Sequence, residues 1–134
     1  MINSAEEFVR LRNSELPEDY LRSANEEAPI HVWYDILLRF PTMREWVVHN
    51  RTVPLEILEV LACDKNASVR AAVAEKRKLS ESLFEVLSSD ECEVVRQRIA
   101  YNKKAPFEII EKLSCDPSEL VRKAAIKRLK KHDF

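Results

Sequence analysis

Residues 64–75, DKNASVRAAVAE, return 26 positions later as 90–101, DECEVVRQRIAY, and again as 116–127, DPSELVRKAAIK. The register reaches back to an earlier segment, because Arg44, Arg70, Arg96 and Arg122 stand at a constant interval of 26 residues. A fixed period of this length marks an array of similar units. An apolar residue precedes each arginine (Met43, Val69, Val95, Val121). Others follow three residues on (Val47, Val73, Ile99, Ala125) and four residues on (Val48, Ala74, Ala100, Ile126). That spacing draws one apolar stripe along a helix.

A second stripe lies between the arginines: Ile57, Leu58 and Leu61, then Leu83, Phe84 and Leu87, then Ile109, Ile110 and Leu113. Pro54, Ser80 and Pro106 stand just before these runs. Proline suits the first helical position, where its missing N–H would be unbonded anyway, and serine is a good cap, so these residues are expected to open the first helix of each unit. Asp64, Asp90 and Asp116 are expected to open the second. Asp116-Pro117-Ser118-Glu119, and Asp90 with Glu93, fit a cap followed three residues later by a glutamate. The 134 residues contain no glycine, so Asn50 and Asn102, at equivalent positions, are the expected left-handed residues that end second helices, with Lys76 in the same place between them.

A helix pair of this kind cannot bury its stripes alone and must stack on neighbours. The predicted fold is therefore all-α: a short α-solenoid of three to four 26-residue helix pairs over residues 41–134. Residues 1–40 depart from the pattern. Ser4 with Glu7 reads as a capping box, Pro17 as a helix start, and Pro29 precedes the aromatic-rich stretch His31–Leu38. With eight acidic and four basic residues, this segment is expected to form N-terminal capping helices with a polar outer face.

The combination of Asp, four residues, Val-Arg, an earlier Leu-Ala or Leu-Ser and a later Val-Ala or Ile-Ala resembles HEAT-like repeats, and especially their leucine-rich-repeat-variant (LRV) form. The likeness covers about two thirds of the chain. It implies that second helices line a concave face. Some members of that family carry an iron-sulfur cluster on N-terminal cysteines. Here no cysteine precedes Cys63, so that cofactor is not carried over.

Composition narrows the chemistry. Without glycine there is no phosphate-cradling loop and no dinucleotide fingerprint, both of which need backbone free of side chains near the ligand. Cys63, Cys92 and Cys115 are an odd number at wide spacing, which fits neither a disulfide framework nor a zinc site; they are expected as reduced, mostly buried thiols, with the equivalent positions of Cys63 and Cys115 pointing to packing. His31, His49 and His132 lie far apart, so no metal is expected. No cofactor and no catalytic residue is called. No run of 18 apolar residues and no signal-like N-terminus occurs, and the expected location is the cytoplasm.

Net charge is only -1, so any electrostatic message lies in arrangement. First helices are acidic and second helices basic. Acids near helix starts and bases near helix ends follow in part from the helix dipole. The alternative is a basic contact strip with aromatic residues among it. Its candidate residues are Trp46, His49, Arg77, Lys78, Arg98, Tyr101, Lys103, Lys104 and Lys127. Tyr101 aligns with the polar His49, Glu75 and Lys127 and is expected to be exposed. Trp33 is expected in the core. The ladder arginines are expected to bind aspartates of their own or an adjoining unit, because the guanidinium fork matches a carboxylate.

The expected role is non-catalytic binding of a macromolecule. By analogy with small HEAT-like proteins of this size, the partner class is a protein, such as a bacterial toxin domain neutralised one-to-one by an immunity protein. Two alternatives stay open: a nucleic-acid binder using the basic concave face, and an adaptor subunit of a larger assembly. HEAT-like DNA glycosylases suggest one enzymatic option, with Trp46 and Glu45 imitating their aromatic and carboxylate.

Overall fold

Proline and serine begin most of the helices. A computed structural model describes residues 1–131 and, among them, contains ten α-helices, one 3-10 turn and no strand. Two compact units divide at Leu61 and Ala62.

The first unit holds α1 (Ala5–Asn13), α2 (Pro17–Asn25), α3 (Ile30–Arg39), a 3-10 turn at Pro41–Met43, α4 (Arg44–His49) and α5 (Leu55–Leu61). The Ser4 hydroxyl accepts the Glu7 N–H at 3.1 Å, and Glu7 Oε1 accepts the Asn3 N–H at 2.8 Å. This satisfies donors that a helix start leaves unbonded. Pro17 occupies the first turn of α2, and Pro29 immediately precedes α3. Phe8, Leu11, Trp33, Ile36, Val47, Val48, Ile57 and Leu61 form the core. Phe8 meets Trp33 edge-on, with ring centroids 5.7 Å apart, a geometry favoured by the ring quadrupoles.

The second unit holds α6 (Ala67–Ala74), α7 (Glu81–Ser88), α8 (Glu93–Tyr101), α9 (Phe107–Leu113) and α10 (Glu119–Lys130). Helix α8 lies between α6 and α10, while α7 packs on α9. The expected stripes are buried: Val69, Val73 and Ala74 on α6; Val95, Ile99 and Ala100 on α8; Leu83, Phe84 and Leu87 on α7; Ile109, Ile110 and Leu113 on α9. On α10, Val121 and Ala125 are buried, but Ile126 is 40% exposed. That residue belongs to the stripe by sequence alone, and the smaller Ala124 fills the core instead.

The aspartates do not cap the second helices. Asn66, Cys92 and Ser118 hold the N-cap positions. Asp64, Asp90 and Asp116 sit two residues earlier, each accepting the N–H of the residue two on at 2.8–2.9 Å. This side-chain turn competes with capping and displaces the helix start. The same carboxylates receive the ladder. Arg70 donates to Asp90 through Nε at 2.9 Å and Nη2 at 3.3 Å, and Arg96 donates to Asp116 at 2.9 and 3.2 Å. Their Nη1 groups, and that of Arg122, turn back to the carbonyls of Asp64, Asp90 and Asp116 respectively. The bond to Asp90 holds Arg70 above its ordinary pKa. Arg44 instead donates to the Leu37 carbonyl through Nε and Nη2.

Asn50 and Asn102 are not left-handed. Their φ values are -68° and -70°, with ψ of 132° and 117°, which is extended backbone. Their side chains instead supply hydrogen bonds to the ends of earlier helices, α2 and α6. Asn50 Nδ2 donates to the carbonyls of Ser23 and Glu26 at 2.8 and 3.0 Å, and Asn102 Nδ2 to those of Ala74 and Lys76 at 2.8 and 2.7 Å. Each amide oxygen accepts the N–H two residues on. Arg128, 26 residues after Asn102, donates to the carbonyls of Asn102 and Lys103. The position expected to end its own helix by backbone freedom instead satisfies the last carbonyls of an earlier one.

The cysteines are free thiols, as expected, but Cys63 and Cys115 are exposed and Cys92 is half-buried. Each exposed one lies two residues beyond a buried leucine (Leu61, Leu113). Both stand in the turn that follows a helix, beyond the last residue of its buried stripe.

Two outcomes follow. Asn102→Ala leaves two carbonyls without their donor and is expected to destabilise the protein by about 2–4 kcal/mol in urea denaturation; a loss below about 0.5 kcal/mol would remove the amide from the terminating role. A maleimide at neutral pH should label Cys63 and Cys115 in the native protein without denaturant, and protection of both would contradict the exposure described.

Candidate macromolecule-binding surfaces

The sequence candidates divide between the two units. In the second, α8 ends in Tyr101, which is 58% exposed, and buried Asn102 fixes the chain that follows. Arg77, Arg98, Tyr101 and Lys103, with Glu75, Gln97 and Asn102, line a groove of about 510 Å³. Tyr101 and Lys103 also line a smaller groove of about 200 Å³, with Lys127, Arg128 and Lys131. Five of the nine candidates therefore share one surface, with Tyr101 common to both grooves.

That surface is cationic but not uniformly so. Arg98 forms an ion pair with Glu75, so its charge is already partly neutralised. Among the described residues, Arg77, Lys103, Lys127 and Lys131 have no ion-pair partner. Residues 62–134 hold sixteen basic and twelve acidic side chains, so attraction toward an anionic partner extends beyond contact distance. Lys78 and Lys104 are exposed but line neither groove; the Lys104 backbone N–H is occupied by Asn102 Oδ1.

Trp46 and His49 belong to the first unit. Trp46 is 40% exposed, and its ring centroid lies 5.7 Å from that of His49 at an angle of 49°. They line a groove of about 330 Å³ with Arg12, Tyr20, Leu21, Ser23, Ala24, Asn25 and Arg51. The Arg12 guanidinium lies over Trp46, 3.8 Å from its centroid, and 5.0 Å from that of Tyr20. Arg12 and Tyr20 escaped the sequence reading because they lie in the non-periodic segment, and nothing local marks a cation that stacks on a ring 34 residues away. Glu45, considered beside Trp46, does not line this groove.

Trp33 is buried, as its place in the aromatic stretch suggests, and the half-exposed Tyr34 donates its hydroxyl to Glu56 at 2.7 Å. Among the described residues, no group of three or more His, Cys, Asp or Glu side chains could hold a metal ion; His132 lies outside them. No helix among the described residues is long and apolar enough to cross a membrane. No family model, curated protein or solved structure matches this chain.

Proposed function

We propose that this chain is a HEAT-like, LRV-type helical repeat protein that acts without catalysis, binding an acidic surface of a protein partner through the Tyr101 grooves. The carrying observation is the grouping of an exposed tyrosine with Arg77, Lys103, Lys127 and Lys131 on helices anchored beneath by the Arg–Asp ladder and the Asn102 amide. A large aromatic amid unneutralised cations is a composition that concentrates binding energy at interfaces. Rigid support keeps the ordering cost of binding low.

A protein partner is favoured over nucleic acid because the strip is punctuated. Glu75 neutralises Arg98 inside the larger groove, which suits an alternating charge pattern better than an unbroken phosphate backbone. The narrower reading, an inhibitor that occludes a toxin domain such as a nuclease in a one-to-one complex, rests on the resemblance and on size. Cytoplasmic action belongs to the same proposal.

The test is affinity capture from native lysate, with and without nuclease, by the wild-type chain and by a variant carrying Arg77→Glu, Lys103→Glu and Lys127→Glu. All three side chains are exposed, so stability should change by about 0.5 kcal/mol or less per site. A stoichiometric protein retained after nuclease, bound at least about tenfold more weakly by the variant, is the expected result. Nucleic acid lost with rising salt would support the phosphate-binding alternative. Unchanged protein capture by the variant would discard this surface.

A further inference from the structure

The first unit carries a feature that the Tyr101 surface does not use. Arg12 is half-buried between Tyr20 and Trp46, and its Nε is sealed from solvent without a hydrogen-bond partner. Among the described residues it has no ion-pair partner either. Nε thereby loses hydration with only the attraction of two ring faces in return, while Nη1 and Nη2 are not sealed and form the edge that can meet a ligand. The groove it lines also presents Arg51 and the amide-bearing Asn25, and no Asp or Glu. Its chemistry is that of a receptor for an anionic group: a fixed planar fork, two aromatic walls, and no carboxylate of its own to compete.

The surroundings say which anion. Residues 1–61 carry eleven acidic and six basic side chains, so the field around the groove repels an extended polyanion while the groove itself accepts one negative group. A volume of about 330 Å³ holds a side chain with its adjoining backbone. Arginine with tryptophan and tyrosine is the set that dominates interface hot spots, and the guanidinium fork matches a carboxylate in two-point contact. We infer that this groove receives a single carboxylate side chain of a protein partner, with Arg12 as its ligand and Tyr20 and Trp46 as its walls. The inference rests on the reading of the chain as a protein binder, and it adds an anchor in the first unit that recognises one residue, where the Tyr101 surface recognises a charge pattern.

Trp46 makes occupancy directly readable. The chain has two tryptophans, and Trp33 is only 1% exposed, so a ligand in the groove alters the emission of Trp46 and a Trp46→Phe variant should be silent. The full chain is titrated with a capped hexapeptide carrying one central glutamate and neutral flanks, with its glutamine counterpart, and with hexathymidylate. The expected result is a saturable change with the glutamate peptide at a millimolar midpoint, about tenfold weaker with the glutamine peptide, and lost in Arg12→Gln. The peptide comparison on wild-type protein stands even if that variant folds poorly. Equal response to both peptides, no saturation by about 10 mM, or a lower midpoint for the oligonucleotide would overturn the inference. The assay needs no native partner and does not involve the second unit, so its failure is separate from failure of the Tyr101 surface.

Discussion

A guanidinium that spans two successive turns is the constraint on which the second unit depends. Arg96 fixes one end on the Asp90 carbonyl and the other on the Asp116 carboxylate, and Arg70 does the same between Asp64 and Asp90. Asp90 and Asp116 thereby perform three tasks each: the carboxylate shapes its own turn, the backbone oxygen holds one arginine, and the carboxylate oxygens hold another. The side chains of these pairs are largely buried. A buried charge left alone costs several kcal/mol, so Asp90 and Asp116 must stand where Arg70 and Arg96 require them. The pairs thus fix spacing as much as they add stability.

The lack of glycine explains the second set of connections. A helix needs partners for its last carbonyls, and the usual device is a left-handed residue that folds the backbone over them. Here the carbonyls are met by amide or guanidinium groups from a later segment: Asn50 for the end of α2, Asn102 for the end of α6, and Arg128 for the residues after α8. A local requirement is satisfied by a contact 24 to 28 residues distant. Helix termination and helix packing have become one interaction, and Tyr101, immediately before Asn102, is displayed from that anchored end.

Much of this was legible because the period is regular. The stripes through Val73 and Ile99 and the pairing of Arg70 and Arg96 with aspartates follow from register, since identical spacing imposes identical neighbours. Register does not say which of two equivalent devices a residue uses. Aspartate can cap a helix or make a turn before it, and asparagine can twist its backbone or extend its side chain; only the competing demand of the arginine, or of a buried carbonyl, decides. Ile126 and the cysteines failed for a related reason, because repeat equivalence fixes position but not the packing at each site. The Arg12 stack over Trp46 was illegible throughout, as it joins α4 to α1, which lies in the segment where no period exists.

The spacing of helices in the second unit depends most directly on the coupling between Arg96 and Asp116. A double-mutant cycle with Arg96→Met and Asp116→Asn, read by urea denaturation, removes the ion pair while retaining the aliphatic stem and an acceptor for the Ser118 N–H. A coupling energy of about 1.5–3 kcal/mol is predicted for a largely buried, two-point charged bond. A coupling below about 0.5 kcal/mol would mean that the two side chains merely lie side by side, and that the spacing of the helices is set by apolar packing alone.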